Sequence, residues 1–176
     1  NVGFDVVDFF VERERFSAFR KHGNALLSKG TINDDSVLVL KPQTYMNLSG
    51  DAVLEVMRFY QIPCEQLVVV HDELDFPVGA VRVKSGGGHG GHNGLRSIIT
   101  HLGREFLRVR VGIDKAPAGT DGATYVLSAF HLNERPLIRE AIEHAADALR
   151  VILTEGYKKA MTQFNRRLTH SSDQGL

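Results

Sequence analysis

The sequence predicts one α/β domain, a twisted mixed β-sheet with helices on both faces. Three observations predict it. The chain has 176 residues, the length of one ordinary domain. Helical and strand-like apolar spacings follow one another in the order α-β-β-α-β-β-α-β-α-α, which calls for a mixed sheet covered by helices. Leu67-Val68-Val69-Val70 is a continuous apolar run, the pattern of a strand buried on both faces of an α/β sheet.

Each element has its own signal. Val6, Phe9, Phe10 and Arg13 recur at helical spacing, so residues 3–16 read as an amphipathic helix. Leu26-Leu27 and Val37 to Leu40 flank the turn-rich stretch Lys29 to Asp35, which predicts two antiparallel strands. Ser49 or Asp51 is placed to cap a helix that turns Ala52, Val53, Val56, Met57 and Tyr60 inward. After the strand at 67–70, Pro77 and Gly79 make a turn, and Val81 and Val83 alternate with Arg82 and Lys84 along another strand. Glycines 86, 87, 88, 90, 91 and 94 exclude regular structure. Leu95, Ile98, Ile99 and Leu102 mark a helix closed by Gly103, and an alternating strand runs from Phe106 to Ile113. Residues 114–124 form a Pro/Gly-rich loop. Asn133 is placed to cap a long helix stopped near Gly156, and Ala160, Met161 and Phe164 line a last helix. The domain is thus expected over 1–167, with 168–176 a polar, disordered tail.

Composition narrows the class. Hydrophobic residues make 43% and charged residues 24% of the chain, an average globular balance that excludes wholesale disorder. The longest apolar runs are too short to span a bilayer. No charged-then-apolar leader opens the chain, so nothing in it directs secretion, and Cys64 is the single cysteine, which excludes an internal disulfide and fits a reducing, cytoplasmic setting. The zero net charge hides a division. Residues 1–80 carry seven Lys and Arg against twelve Asp and Glu, whereas residues 81–115 carry seven against two. Residues 157–176 are again basic, with four against one. A polyanion responds to the local field, screened over ~8 Å at physiological salt, so the basic stretches point to nucleic acid.

Three segments carry candidate chemistry. In Thr44-Tyr45-Met46-Asn47-Leu48-Ser49-Gly50 the Asn47 carboxamide can donate and accept at once, or serve only in a turn. In His71-Asp72-Glu73-Leu74-Asp75 the acids follow a central strand, where α/β proteins build their sites. There Asp72 could orient a histidine, the cluster could hold a hard cation, or the acids could simply be solvated. In Ser85-Gly86-Gly87-Gly88-His89-Gly90-Gly91-His92-Asn93-Gly94 the glycines allow close backbone approach just before a helix. This is neither a Walker loop nor a dinucleotide fingerprint. A zinc site at His89 and His92 lacks further ligands, because no cysteine lies near.

Taken together and in this order, the three segments resemble the blocks of bacterial-type peptidyl-tRNA hydrolases, and the similarity runs from Asn1 to about Arg167. The resemblance implies a monomeric α/β enzyme, without metal or organic cofactor, that cleaves the ester between a peptide and tRNA. Its partner would be peptidyl-tRNA, with no membrane and no obligate protein partner. By motif, Asp72 matches the acid that supports a catalytic histidine, and His92 matches a site histidine. Tyr45, Asn47 and Asn93 match substrate-binding positions. Arg82, Lys84 and Arg110 match a basic surface for tRNA phosphates. Family members begin with a strand, a Gly-Asn-Pro-Gly turn and a catalytic histidine directly before the residues that match Asn1-Val2-Gly3. Those features do not occur in these 176 residues, so the chain as given is expected to lack the general base and to have little activity. The competing expectation is a non-catalytic RNA-binding relative of the same fold. Asp72, Asn47 and Asn93 argue against it, since a pure binder has little use for an acid beside two amides.

Overall fold

The structure, a computed structural model, describes residues 1–122 and 132–166. Its elements are α1 (Val2–Arg13), β1 (Arg20–His22), β2 (Ala25–Ile32), β3 (Asp35–Pro42), α2 (Ser49–Phe59), β4 (Val68–Glu73), β5 (Val81–Ser85), α3 (Asn93–Leu102), β6 (Leu107–Gly112), α4 (Arg135–Glu155) and α5 (Tyr157–Phe164). Short 3₁₀ turns occupy Met46–Leu48 and Cys64–Gln66. The expected tail at 168–176 and the end of the 114–124 loop lie outside the described residues.

The α/β class is as expected, but the strands divide into two sheets where the sequence suggested one. β1, β2 and β3 form an antiparallel meander, and β4, β6 and β5 form a mixed sheet in that spatial order. The β2–β3 hairpin turns through Asn33 and Asp34, both in the left-handed region at φ 50° and 69°, as a two-residue primed turn requires. β4 runs parallel to β6, and β5 runs antiparallel to it. No ladder joins β3 to β4 among the described residues. Consequently Val68, Val69 and Val70 pair on one side alone and stay half-buried, not the fully buried run that their composition predicts.

The β4–β6–β5 sheet separates two cores. On one face Val81, Val83, Val109 and Val111 pack with Val6 and Phe10 of α1, with Ala145 and Leu149 of α4 and with Ala160 of α5. On the other, Val69 and Phe106 pack with Val53 and Met57 of α2 and with Leu95 and Ile98 of α3. These two helices cross closely: a Cβ on Gly50 would lie 2.3 Å from the Ser97 carbonyl oxygen, so only glycine fits there. The Ser97 hydroxyl accepts the Gly50 N–H at 2.9 Å.

Three helix and strand details correct the sequence reading. α2 has Leu48 at its N-cap with no side-chain cap, and Asp51 pairs instead with His101 of α3 at 2.6 Å. α4 starts from Glu134 rather than Asn133, with Pro136 in its first turn, the position that suits proline's fixed φ. β1 has no apolar pattern of its own, since Arg20, Lys21 and His22 form it by pairing with β2.

Candidate active site

The three segments singled out in the sequence meet at the carboxyl end of β4. The 3₁₀ turn Met46–Leu48 lies against the start of α3, where a Cβ on Gly94 would come within 2.8 Å of the Met46 sulfur. Tyr45 and Asn47 on that turn are exposed, Tyr45 at 84%. Asn93, the first residue of α3, is also exposed, and its Oδ1 accepts from Arg96 at 3.3 Å.

His92 joins the glycine loop to β4. As N-cap of α3, its Nδ1 accepts the Leu95 N–H at 3.2 Å. That bond leaves Nε2 as the protonated nitrogen, and Nε2–H donates to Asp72 Oδ1, also at 3.2 Å. Both ring nitrogens are therefore engaged. Burial pushes the Asp72 carboxyl upward, but the His92 hydrogen bond and the charges of His92 and His71 outweigh it, so the group sits below its ordinary value.

His71 is the histidine whose role the sequence did not disclose. It is 5% exposed, with its ring 5.1 Å from that of His92. Its Nδ1–H donates to the Asp72 carbonyl at 2.7 Å, and Nε2 has no partner among the described residues. Burial first, then the neighbouring His92, pushes its pKa down to about 4. It is neutral near pH 7.

The basic residues form rows across the sheet. His71, Arg110 and Arg82 lie side by side on β4, β6 and β5, and the next row holds Val69, Arg108 and Lys84. Partners in register share a face, so the cations stand on the side of α2 and α3, with Arg110 beside His71 and one position from Asp72. Arg110 and Arg82 lie over the Phe76 ring at 4.8 and 5.8 Å. Like charges directly opposite across two strands are destabilising, an arrangement that an anion bound there would relieve. α5 lies on the other face of the sheet, where Ala160 joins the core with Val83 and Val109. Asn165 just after it accepts the Val83 N–H at 2.7 Å and donates to the Val83 carbonyl at 2.8 Å, docking the basic α5 on the edge of β5. Strand alternation contained the cation rows in outline; the Asn165 contact had no local signal.

A mixed-sheet α/β domain that couples an imidazole–carboxylate pair to a cationic sheet face has the make-up of a hydrolase for a polyanionic substrate. The comparisons sharpen this class. The family model described as peptidyl-tRNA hydrolase matches residues 1–172. The chain is 41% identical to the peptidyl-tRNA hydrolase of Lachnoclostridium phytofermentans, over 95% of this chain and 88% of that protein. It is 45% identical to that of Nocardia farcinica, over 94% and 86%. The crystal structure of the Acinetobacter baumannii peptidyl-tRNA hydrolase superposes with a TM-score of 0.88 at 36% identity, covering 94% of this chain and 85% of that one. The chain belongs to the peptidyl-tRNA hydrolase family.

Proposed function

We propose that this protein hydrolyses the ester bond between a peptide and the 3′ end of tRNA, returning tRNA from aborted translation to use, in the cytoplasm and as a monomer. The observation that carries the reading is the contiguity of the Asp72–His92 pair with the row His71–Arg110–Arg82, within a chain matched by the family model over residues 1–172. An RNA-binding relative without chemistry needs the cations but not the half-buried Asp72 carboxylate. The hydrolase names of the matched relatives do not favour it either.

In this reading, tRNA phosphates lie against Arg82, Lys84 and Arg110, and the peptide end meets Tyr45, Asn47 and Asn93. A histidine gives water its nucleophilicity by accepting a proton as the oxygen attacks the ester carbonyl. The tetrahedral oxyanion then expels the tRNA ribose oxygen, which takes a proton, leaving a peptide carboxylate and tRNA with a free hydroxyl. Asp72 stabilises the imidazolium formed in the first step. His92 orients Asp72, since its own nitrogens are both engaged. His71 is a poor base, because burial holds it neutral with a pKa of about 4. The family resemblance gives the base to a histidine directly before the residues that match Asn1-Val2-Gly3.

Release of peptide from peptidyl-tRNA by residues 1–176 should be compared with release by the same chain extended by a family-like strand, a Gly-Asn-Pro-Gly turn and a histidine. The extended chain is expected to be faster by ~10²-fold or more. Equal rates would place the base within these residues, with His92 the first candidate, and no hydrolysis by either would overturn the function.

A further inference from the structure

The sequence reading and the proposed mechanism both leave Arg108 without a role, yet its surroundings are the most unusual for a cation in the described structure. Its residue is 2% exposed, and no carboxylate pairs with it among the described residues. The charged groups that act on it are Arg110 and Arg104, of its own sign. Its guanidinium carbon lies 4.6 Å from the centre of the Phe106 ring, and Nε is buried without a partner. What holds it are two backbone carbonyls: Nη1 donates to Gly88 and Nη2 to Gly87. A buried charge without a counter-ion is costly, and stability alone would favour an apolar side chain there.

The two carbonyls belong to the loop between β5 and α3. Residues 86–92 of that loop are Gly-Gly-Gly-His-Gly-Gly-His, and Gly86, Gly87, Gly90 and Gly91 have positive φ. Such a segment has more conformational freedom to lose than any other composition. It ends at His92, whose Nε2–H must meet Asp72, and at Asn93. Few other contacts hold its first half: the Gly86 N–H donates to the Phe106 carbonyl at 3.0 Å, and a Cβ on Gly88 would meet nothing within 4 Å. Because a trans peptide sets C=O and N–H antiparallel, the fork also turns the N–H groups of Gly88 and His89 away from the guanidinium.

We propose that Arg108 is a positioning residue for ester hydrolysis: by gripping the carbonyls of Gly87 and Gly88 it fixes the glycine loop, and so sets His92 against Asp72 and Asn93 toward the substrate. The proposal rests on the hydrolase reading above. Arg108 touches no reacting atom; it acts through the loop.

The test uses the full-length protein with Arg108→Met and Arg108→Lys, read by steady-state kinetics on peptidyl-tRNA and by the ¹⁵N shifts of the His92 ring at pH 7. Misplacing a catalytic element by about 1 Å can cost ~10²-fold. Arg108→Met is therefore expected to lower kcat by about 100-fold with KM changed by less than about threefold. Its His92 ring should move from the Nε2–H form to a tautomer average. Lysine, which can still reach one carbonyl, is expected to recover about tenfold of the loss. If Arg108→Met does not fold, Arg108→Lys carries the same two readouts. A lower melting temperature with parental kcat and parental His92 shifts would make Arg108 merely structural. A raised KM at parental kcat would make it a substrate contact. Either result overturns the proposal. If the parent releases no peptide, the function reading fails, while the His92 shifts still decide whether Arg108 sets that ring.

Discussion

The two faces of the β4–β6–β5 sheet are built from the same strands and do opposite work. Toward α1, α4 and α5 the sheet presents Val81, Val83, Val109 and Val111, each at most 5% exposed. Toward α2 and α3 it presents Val69 and then His71, Arg82, Lys84, Arg108 and Arg110. The first face gains free energy with every side chain removed from water. The second sets cation opposite cation, an arrangement that reduces stability, and buries His71, which burial keeps neutral at pH 7. The contrast teaches that alternation along single strands, Val-Arg-Val-Lys and Arg-Val-Arg-Val, is enough to separate an apolar core from a row of cations across the thickness of one sheet, while Asp72, in register with Val111, stands at the strand end on the valine side.

The comparison can be broken from either side. The largest effect belongs to Asp72→Asn in the protein that carries its general base. Loss of imidazolium stabilisation should lower kcat by ~10³- to 10⁴-fold, with unchanged circular dichroism; near-normal turnover would remove Asp72 from the mechanism. On the opposite face, Phe10, 1% exposed in α1, should lose about 3–5 kcal/mol of stability as Phe10→Ala. The folded fraction should keep its parental kcat, as chemical denaturation and kinetics together would show.

His71 gives a smaller effect with a defined sign. In the folded protein its pKa is about 4, against an ordinary 6.5. Between those values the unfolded chain binds a proton that the folded chain does not. The histidine therefore contributes its full stability above about pH 6.5 and loses it as pH falls toward about 4, by about 3 kcal/mol in all. Denaturation midpoints at pH 7 and pH 4.5 should diverge in the parent and converge in His71→Gln. The same divergence in both would assign the acid sensitivity to other groups. The smallest effect is expected from Asn47→Ala, which should impair turnover while leaving the salt dependence of tRNA binding unchanged.

How much of this was legible in the sequence follows from which features are local. Helices α1, α2, α3, α4 and α5 could be read from 3.6-residue spacing, and the glycines at 103 and 156 closed two of them at φ 81° and 90°. Starting residues were less legible. Ser49, Asp51 and Asn133 are good caps by type, but tertiary contacts decided otherwise, as when Asp51 was drawn to His101. Asp72, His92 and the two asparagines were found through their motifs, and the structure brings them to one end of β4. The Asp72–His92 bond and the grip of Arg108 on Gly87 and Gly88 join residues 20 or 21 positions apart. Register was the missing information, since the rows His71–Arg110–Arg82 and Val69–Arg108–Lys84 exist only once three strands are aligned.

The division between the two faces is tested most directly by the slope of log K for tRNA binding against log salt concentration, in the parent and in the triple variant Arg82→Ala, Lys84→Ala, Arg110→Ala. Each phosphate contact contributes roughly −0.7 to −0.9 to that slope. The variant's slope is predicted to be shallower by about 2 to 3, because in the proposed reading the cations on this face hold phosphates and not the fold. A variant slope equal to the parent's would contradict the account and return these residues to the ordinary solvated surface.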